Sequence, residues 1–542
     1  MKFTDTTAHK RLKENAKSPP DLTKSNFLNA ERVKKMTINA VNWKMIYATE
    51  RVDADICKNL CDLAKETNVF DKFFMMQNME MMNYVNNFES ERRKVGHTAI
   101  RNLSPSNEFS DEVHQVSEDY QKELKKLGKF WSNAGHFKYL VAVGIGGSYL
   151  GADAVFEALK NFQENDRELH FASNVDPDKV GSILNHVDKK KTLVVIISKS
   201  GGTLEIRSQE SLLRKEFEKA GLNTKEHFAM VTGKGSPMDK PSAYREVFYM
   251  WDFIGGRYSV SSMVGAVPLS FIFGMKMWND FLRGLHDMDM HALKEKNPMK
   301  NMPLWGALLG IWNRNYLECD SFNIINYSAP MNKWSLHLQQ LYMESNGKSV
   351  CKEDGSFIDW DTCPLVQGGV GTETQHSYFQ GIHQGTKVLP LEFIGFKNPQ
   401  LNHDEIIEGS TNQEKLISNM IAQSVALAKG QHVANHNKYF SGNRQSHMLL
   451  ADQLDAYTLG ALLAYHENYV VFQGFIWDIN SFDQEGVQLG KVLANQVIDL
   501  YKEKRERGSM TLAKDNEVAR AYVEEVDSIN ENRGRNHNMR SA

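Results

Sequence analysis

The stretch Tyr139 to Leu159, YLVAVGIGGSYLGADAVFEAL, decides how this chain is built. Residues 139–143 are an apolar run of strand length, Gly144-Ile145-Gly146-Gly147-Ser148 is a glycine-rich turn, and the pattern that follows is helical. Residues 170–172, 192–197 and 227–231 repeat the strand signal, with a helical-length segment between each pair. Strands alternating with helices predict a parallel sheet with helices on both faces.

The same grammar resumes downstream. Residues 322–327 read as a strand, 334–343 as a helix, 365–366 as a strand opening into GGVGT, 374–384 as a helix and 388–393 as a strand. Long helices are expected around 413–429, 455–465 and 486–505. Between the two α/β regions, the polar stretch 286–303 reads as part of a connection between domains. The first hundred residues read as helices broken at Pro19-Pro20, with no convincing strand, and the Met-rich 73–85 reads as a core-facing helix. Residues 531–542 are polar and aperiodic, as in a frayed tail. The expected class is therefore α/β, with two doubly wound, mainly parallel sheets and helical extensions at both ends. The expected segments are 1–104, 105–285 and 286–542.

Composition narrows the function. The 542 residues carry 64 Lys+Arg against 67 Asp+Glu, with basic residues scattered, so the electrostatic footprint of a nucleic-acid or membrane-surface binder is missing. The longest apolar candidate, 263–275, is short for a membrane span and contains Pro268, and the first twenty residues lack the apolar core of a secretory signal. Five cysteines without a CxxC pair fit a reducing, cytoplasmic compartment and argue against a disulfide frame or structural zinc. Cys57 and Cys61, at i,i+4, read as small buried hydrophobes on one helix face.

Open parallel sheets bind ligands beyond the carboxyl ends of their strands. Two loops there suit phosphate. The first, ending in Ser148, offers backbone N–H groups, a hydroxyl and a positive helix end, yet lacks the third glycine of the dinucleotide fingerprint, where Tyr149 stands. The second, Ser198-Lys199-Ser200-Gly201-Gly202-Thr203, gathers three hydroxyls and a lysine, a donor set suited to a phosphate monoester. Three further segments stand out: Gly255-Gly256-Arg257, Gln340 with Glu344 at the end of a helix, and His376 after the Gly-rich turn GGVGT. In isolation a lone Glu is most often solvated, and a His in a first turn is most often inconsequential.

Together these residues resemble the glucose-6-phosphate isomerases, aldose-ketose isomerases built from two sugar-isomerase (SIS) subdomains. The resemblance runs through ESERRKVGHTAIR, GIGGSYLG, SNVD, SKSGGTLE, GGRYSVSSMVG, MESNGK, GTETQHSYFQGIHQGT and GFIWDINSFDQEGVQLGK, all in the family's order. It implies that Ser148, Ser198, Lys199, Ser200 and Thr203 bind phosphate, and that Glu344 carries the proton between carbons 1 and 2. Arg257 would stand beside the developing enediolate, and Gln340 and Gln484 would contact substrate. His376 and Lys491 would serve ring opening, His376 from the neighbouring subunit of a homodimer. The route, through a cis-enediol(ate), needs no cofactor, and the sequence offers neither HExxH nor a carboxylate/His cluster at ligand spacing for a metal. SKSGGT, GGVGTETQH and GVQ depart from the commoner SKTFTT, GEPGTNGQH and GVE without removing an assigned residue. A non-catalytic sugar-phosphate-binding module would share the phosphate loops but would not need Glu344, Arg257, His376 and Lys491 together.

Overall fold

The computed structural model describes residues 2–508, 510 and 516–538, the side chains of 530–538 excepted. In chain order its strands are β1 (Thr37–Ala40), β2 (Trp43–Ile46), β3 (Met81–Asn83), β4 (Arg93–Lys94), β5 (Tyr139–Val143), β6 (Glu168–Ala172), β7 (Thr192–Ser198), β8 (Phe228–Gly233), β9 (Glu246–Met250), β10 (Ser321–Tyr327), β11 (Leu365–Val370), β12 (Leu391–Phe396) and β13 (Ser446–Ala451). One sheet has the order β6-β5-β7-β8-β9 and is parallel throughout. The other has the order β1-β2-β13-β12-β10-β11, parallel from β13 to β11 and closed at its far edge by the antiparallel hairpin β1-β2. β3 and β4 form a separate two-stranded ribbon. The α/β class with two parallel sheets flanked by helices is thus as the sequence predicts, and both sheets lie in one compact unit, Met1–Asp483.

Every residue of β7 and of β10 is buried, as both-face burial of a central parallel strand demands. The helix Ala456–Trp477 is buried at every residue but Tyr457 and packs against the helix Met263–Lys294, and both helices share one core with the two sheets. Met263–Lys294 belongs to a segment, Gly256–Lys294, long and apolar enough to cross a membrane, yet 72% of its apolar window is buried inside the protein. Its direction changes at Gly274, whose φ of 76° no helix interior adopts. The second unit, Gln484–Ala542, carries the helices Gln488–Arg507 and Glu517–Asn538, which contact each other.

Several expectations are corrected. The N-terminal region holds four strands, because Val41 and Asn42 take φ of 47° and 64° and turn β1 back onto β2, a hairpin that Val-Asn does not advertise. The Met-rich stretch is helical only over Val69–Gln77; left-handed Met79 breaks it before β3. Residues 286–294 are not linker but the last turns of Met263–Lys294. The helix expected at 374–384 is a 3-10 turn, Glu373–His376, followed by Phe379–Gln384. The tail is helical to Asn538, and 539–542 lie outside the described residues. Cys57 and Cys61 do share the helix Ala54–Glu66, and burial pushes their thiols up to about 12 and about 11.

Candidate functional site

The two glycine-rich loops leave the carboxyl ends of adjacent strands, β5 and β7. After β5, Gly146 takes a φ of 57°, a conformation that favours glycine. Gly147 lies so close to Gly256 that a Cβ there would sit 2.1 Å from the Gly256 carbonyl carbon. The Ser259 hydroxyl donates to the Gly147 carbonyl at 3.1 Å. The loop bearing Ser148 is therefore seated on the turn that bears Arg257. After β7, the Gly201 N–H donates to Ser198 Oγ and the Gly202 N–H to Ser200 Oγ, both at 3.2 Å. Thr203 stands at the N-cap of Leu204–Lys219 with no side-chain capping bond. Lys199 Nζ donates to the carbonyls of Ile254 (2.9 Å) and Asp252 (3.2 Å), reaching back to the Arg257 turn. Burial lowers the Lys199 pKa; Arg93 and Arg257 push the same way, against Glu91 and Asp252. A cluster of cations that disfavour one another's charge is stabilised by an anion.

The helix Trp334–Asn346 places Gln340 and Glu344 one turn apart. Gln340 Nε2 donates to Glu344 Oε2 at 2.8 Å, while Gln340 Oε1 is buried without a partner among the described residues. A Cβ on Gly146 would lie 3.3 Å from that same Nε2, which joins the first loop to the helix. Arg257 is fully buried. Its Nη1 donates to Glu344 Oε1 at 2.9 Å, its Nε to Ser345 Oγ at 2.6 Å, and its Nη2 to the carbonyls of Ser481 (2.6 Å) and Asp483 (2.9 Å). A guanidinium has five N–H groups, so one on Nη1 has no partner among the described residues. The Glu344 side chain is 19% exposed: held at both oxygens, yet reachable.

Side chains that no motif marks as functional surround this pair. Tyr258 shares a hydrogen bond with Ser345 Oγ at 3.0 Å, and burial pushes its hydroxyl up to about 12 against the pull of Arg257. The His97 ring stacks on Tyr258 with centroids 4.6 Å apart. Lys348 Nζ bonds Asp483 through Oδ1 (2.7 Å) and the carbonyl (2.8 Å). Burial lowers the Lys348 pKa; Asp483 and Glu344 oppose, and Arg257 adds to the lowering. The available signal was proximity in sequence, since Ser345 and Lys348 belong to the MESNGK that carries Glu344 and Tyr258 follows Arg257.

The remaining candidates lie on other elements. His376 ends the turn after β11 and is exposed, and its side chain makes no hydrogen bond or ion pair with a described residue. Gln484 and Lys491 belong to the second unit, Gln484 at the N-cap of the turn Glu485–Val487 and Lys491 exposed in the first turn of Gln488–Arg507.

A model of the phosphoglucose isomerase family matches residues 46–515. The glucose-6-phosphate isomerase of Protochlamydia amoebophila is 46% identical over 529 residues, covering 97% of each chain. That of Chlamydia caviae is 45% identical over 509 residues, 94% of this chain and 96% of its own. Among solved structures, a glucose-6-phosphate isomerase from Chlamydia trachomatis superposes with a TM-score of 0.93 at 42% identity, over 98% of this chain and all of that one.

Proposed function

The chain belongs to the phosphoglucose isomerase family and interconverts glucose 6-phosphate and fructose 6-phosphate, and on that premise we propose how its residues divide the reaction. Glu344 is the base: it removes the proton from carbon 2 of the open-chain aldose and returns it to carbon 1. The observation that carries this is its carboxylate, bonded by Arg257 on one oxygen and Gln340 on the other, which fixes the proton acceptor beside a permanent cation. Between the two transfers the substrate is an enediolate, and Arg257, bonded to the Glu344 carboxylate, is the cation that stabilises its charge. A guanidinium offers donors and no acceptor, so it stabilises that charge without competing for the transferred proton.

Ser148, Ser198, Lys199, Ser200 and Thr203 take the phosphate, whose dianion satisfies several donors at once. Gln340 and Gln484 contact the sugar. His376, with Lys491, opens the ring, giving a proton to the ring oxygen as the anomeric hydroxyl loses one; imidazole suits this because one ring nitrogen can donate a proton while the other accepts one. The exposure of His376 supports its service to a neighbouring subunit in a cytoplasmic homodimer. The motif FDQEGVQLGK alone supports the roles of Gln484 and Lys491. The segments 1–104, 105–285 and 286–542 remain our division of the chain, a helix-rich start and two SIS subdomains.

The decisive experiment is conversion of fructose 6-phosphate followed through a coupled assay, with wild type beside Glu344→Gln. Loss of a general base costs about 10²- to 10⁴-fold, so kcat falls by that order while the unfolding temperature and the affinity for a phosphorylated competitor hold. Near-wild-type turnover removes Glu344 from the role.

A further inference from the structure

β6 is an edge strand of the five-stranded sheet, and its first residues lie at the end opposite the phosphate loops, since all strands of that sheet run parallel. Glu168 and His170, two apart on β6, project from the same face. The helix Pro177–His186 follows β6 and ends on His186, which it returns to that face. The result is a cluster from two elements: His186 Nε2 lies 2.6 Å and His170 Nε2 3.4 Å from Glu168 Oε2, and the two imidazole centroids are 5.1 Å apart. One ligand atom from each residue falls within 4.8 Å of the other two. His170 Nε2 is shielded from solvent and makes no hydrogen bond among the described residues.

We propose that Glu168, His170 and His186 form a transition-metal site, separate from the isomerase centre, that takes Zn²⁺. Two imidazole nitrogens and one carboxylate oxygen are a borderline donor set, suited to Zn²⁺ and ill suited to Mg²⁺ or Ca²⁺. Tetrahedral zinc with ligands at about 2.0–2.2 Å sets its donor atoms about 3.3 Å apart. The spacing of 3.4 Å is already close to that value, and the pair at 2.6 Å must open. Side-chain torsions suffice, because the Glu168 and His186 side chains are 35% and 56% exposed. Three protein ligands leave the fourth position to water. The carboxylate offsets half the ion's charge, with Lys179 the cation acting against it at His170. Bound metal would tie the sheet edge to the end of the next helix, and so raise the unfolding temperature.

The test uses the full-length protein stripped by a chelator. Co²⁺ is titrated and followed by its visible absorption, and Zn²⁺ by competition with a chromophoric chelator, for wild type, His170→Ala, His186→Ala and Glu168→Gln. We expect about one equivalent of Co²⁺ with the strong visible bands of a tetrahedral site, displaced by Zn²⁺, and affinity at least about tenfold weaker in each variant. Zn²⁺ should raise the unfolding temperature of wild type alone, while isomerase turnover stays equal across the four proteins. The proposal falls if no saturable stoichiometric binding occurs, or if His170→Ala and His186→Ala bind as wild type does; unfolding curves in chelator establish that each variant is folded.

Discussion

Arg257 makes four hydrogen bonds from a fully buried position, to Glu344, Ser345 and the carbonyls of Ser481 and Asp483. A lysine there keeps the charge but cannot reach them all, and each buried acceptor left bare costs about 1–3 kcal/mol. Arg257→Lys is therefore expected to lower the unfolding temperature and, by misplacing the charge that stabilises the enediolate, to cut kcat by about 10²- to 10³-fold. Steady-state kinetics alongside thermal unfolding check both, and an unchanged kcat would refute the assignment. Gly147 predicts a different split. Any Cβ there collides with Gly256 backbone, so Gly147→Ala must move the loop that carries Ser148. KM for fructose 6-phosphate should rise by more than kcat falls. At this scale the sequence is legible where chemistry is local: Gln340 and Glu344 are one helical turn apart, and their contact follows from spacing alone. It is silent on Ser481 and Asp483, whose carbonyls reach Arg257 across more than two hundred positions.

Elements meet where glycines permit. Gly284 on Met263–Lys294 faces the Tyr457 carbonyl, and Gly460 on Ala456–Trp477 faces the Phe281 carbonyl; a Cβ would sit 1.9 Å and 2.1 Å from those oxygens. The two helices thus touch backbone to backbone through a reciprocal pair, and Gly460→Ala should destabilise by at least about 1–3 kcal/mol, read from chemical unfolding, leaving KM little changed in the folded fraction. The second sheet carries a charged counterpart. Glu392 of β12 and His447 of β13 are register partners, and the imidazole bonds Glu392 at 3.0 Å and Glu50 at 2.9 Å, with His466 and Tyr465 also facing Glu392. Burial alone would lower the His447 pKa, but the two carboxylates raise it to about 9. A raised pKa means stabilisation that is full below the unfolded value of about 6.5 and lost as pH climbs through about 9. The stability gap between wild type and His447→Gln should accordingly narrow from pH 6 to pH 10; a constant gap would show the imidazole neutral throughout. Neither feature was legible beforehand, because spacing within one element says nothing of which element lies opposite. The central strands were legible because both-face burial makes them apolar runs, whereas β1 and β2 were hidden by a turn whose residues, Val41 and Asn42, carry no hairpin signature. For the same reason Glu168, His170 and His186, unremarkable along the chain, became a donor set only when β6 and the next helix folded together.

For the whole molecule the decisive residue is His376. Among the described residues its side chain has neither hydrogen bond nor ion pair, and it is exposed. If it completes the site of a second subunit, then each site of a homodimer draws Glu344 from one chain and His376 from the other. In a twofold dimer this makes opposite faults complementary. A mixed dimer of Glu344→Gln and His376→Ala has one site with both defects and one with neither. Random reassociation makes half the dimers mixed, so mixing two nearly inactive proteins should restore about a quarter of wild-type turnover. If instead each chain supplied its own His376, every site in every dimer would keep one defect, and the mixture would never exceed the average of its parents. Denaturing and refolding the two variants together, with each refolded alone as the control, separates these outcomes by rate alone. Recovery would also mean that the single chain is only half of a working unit, since a base without a ring-opening acid acts only on the small open-chain fraction of its substrate.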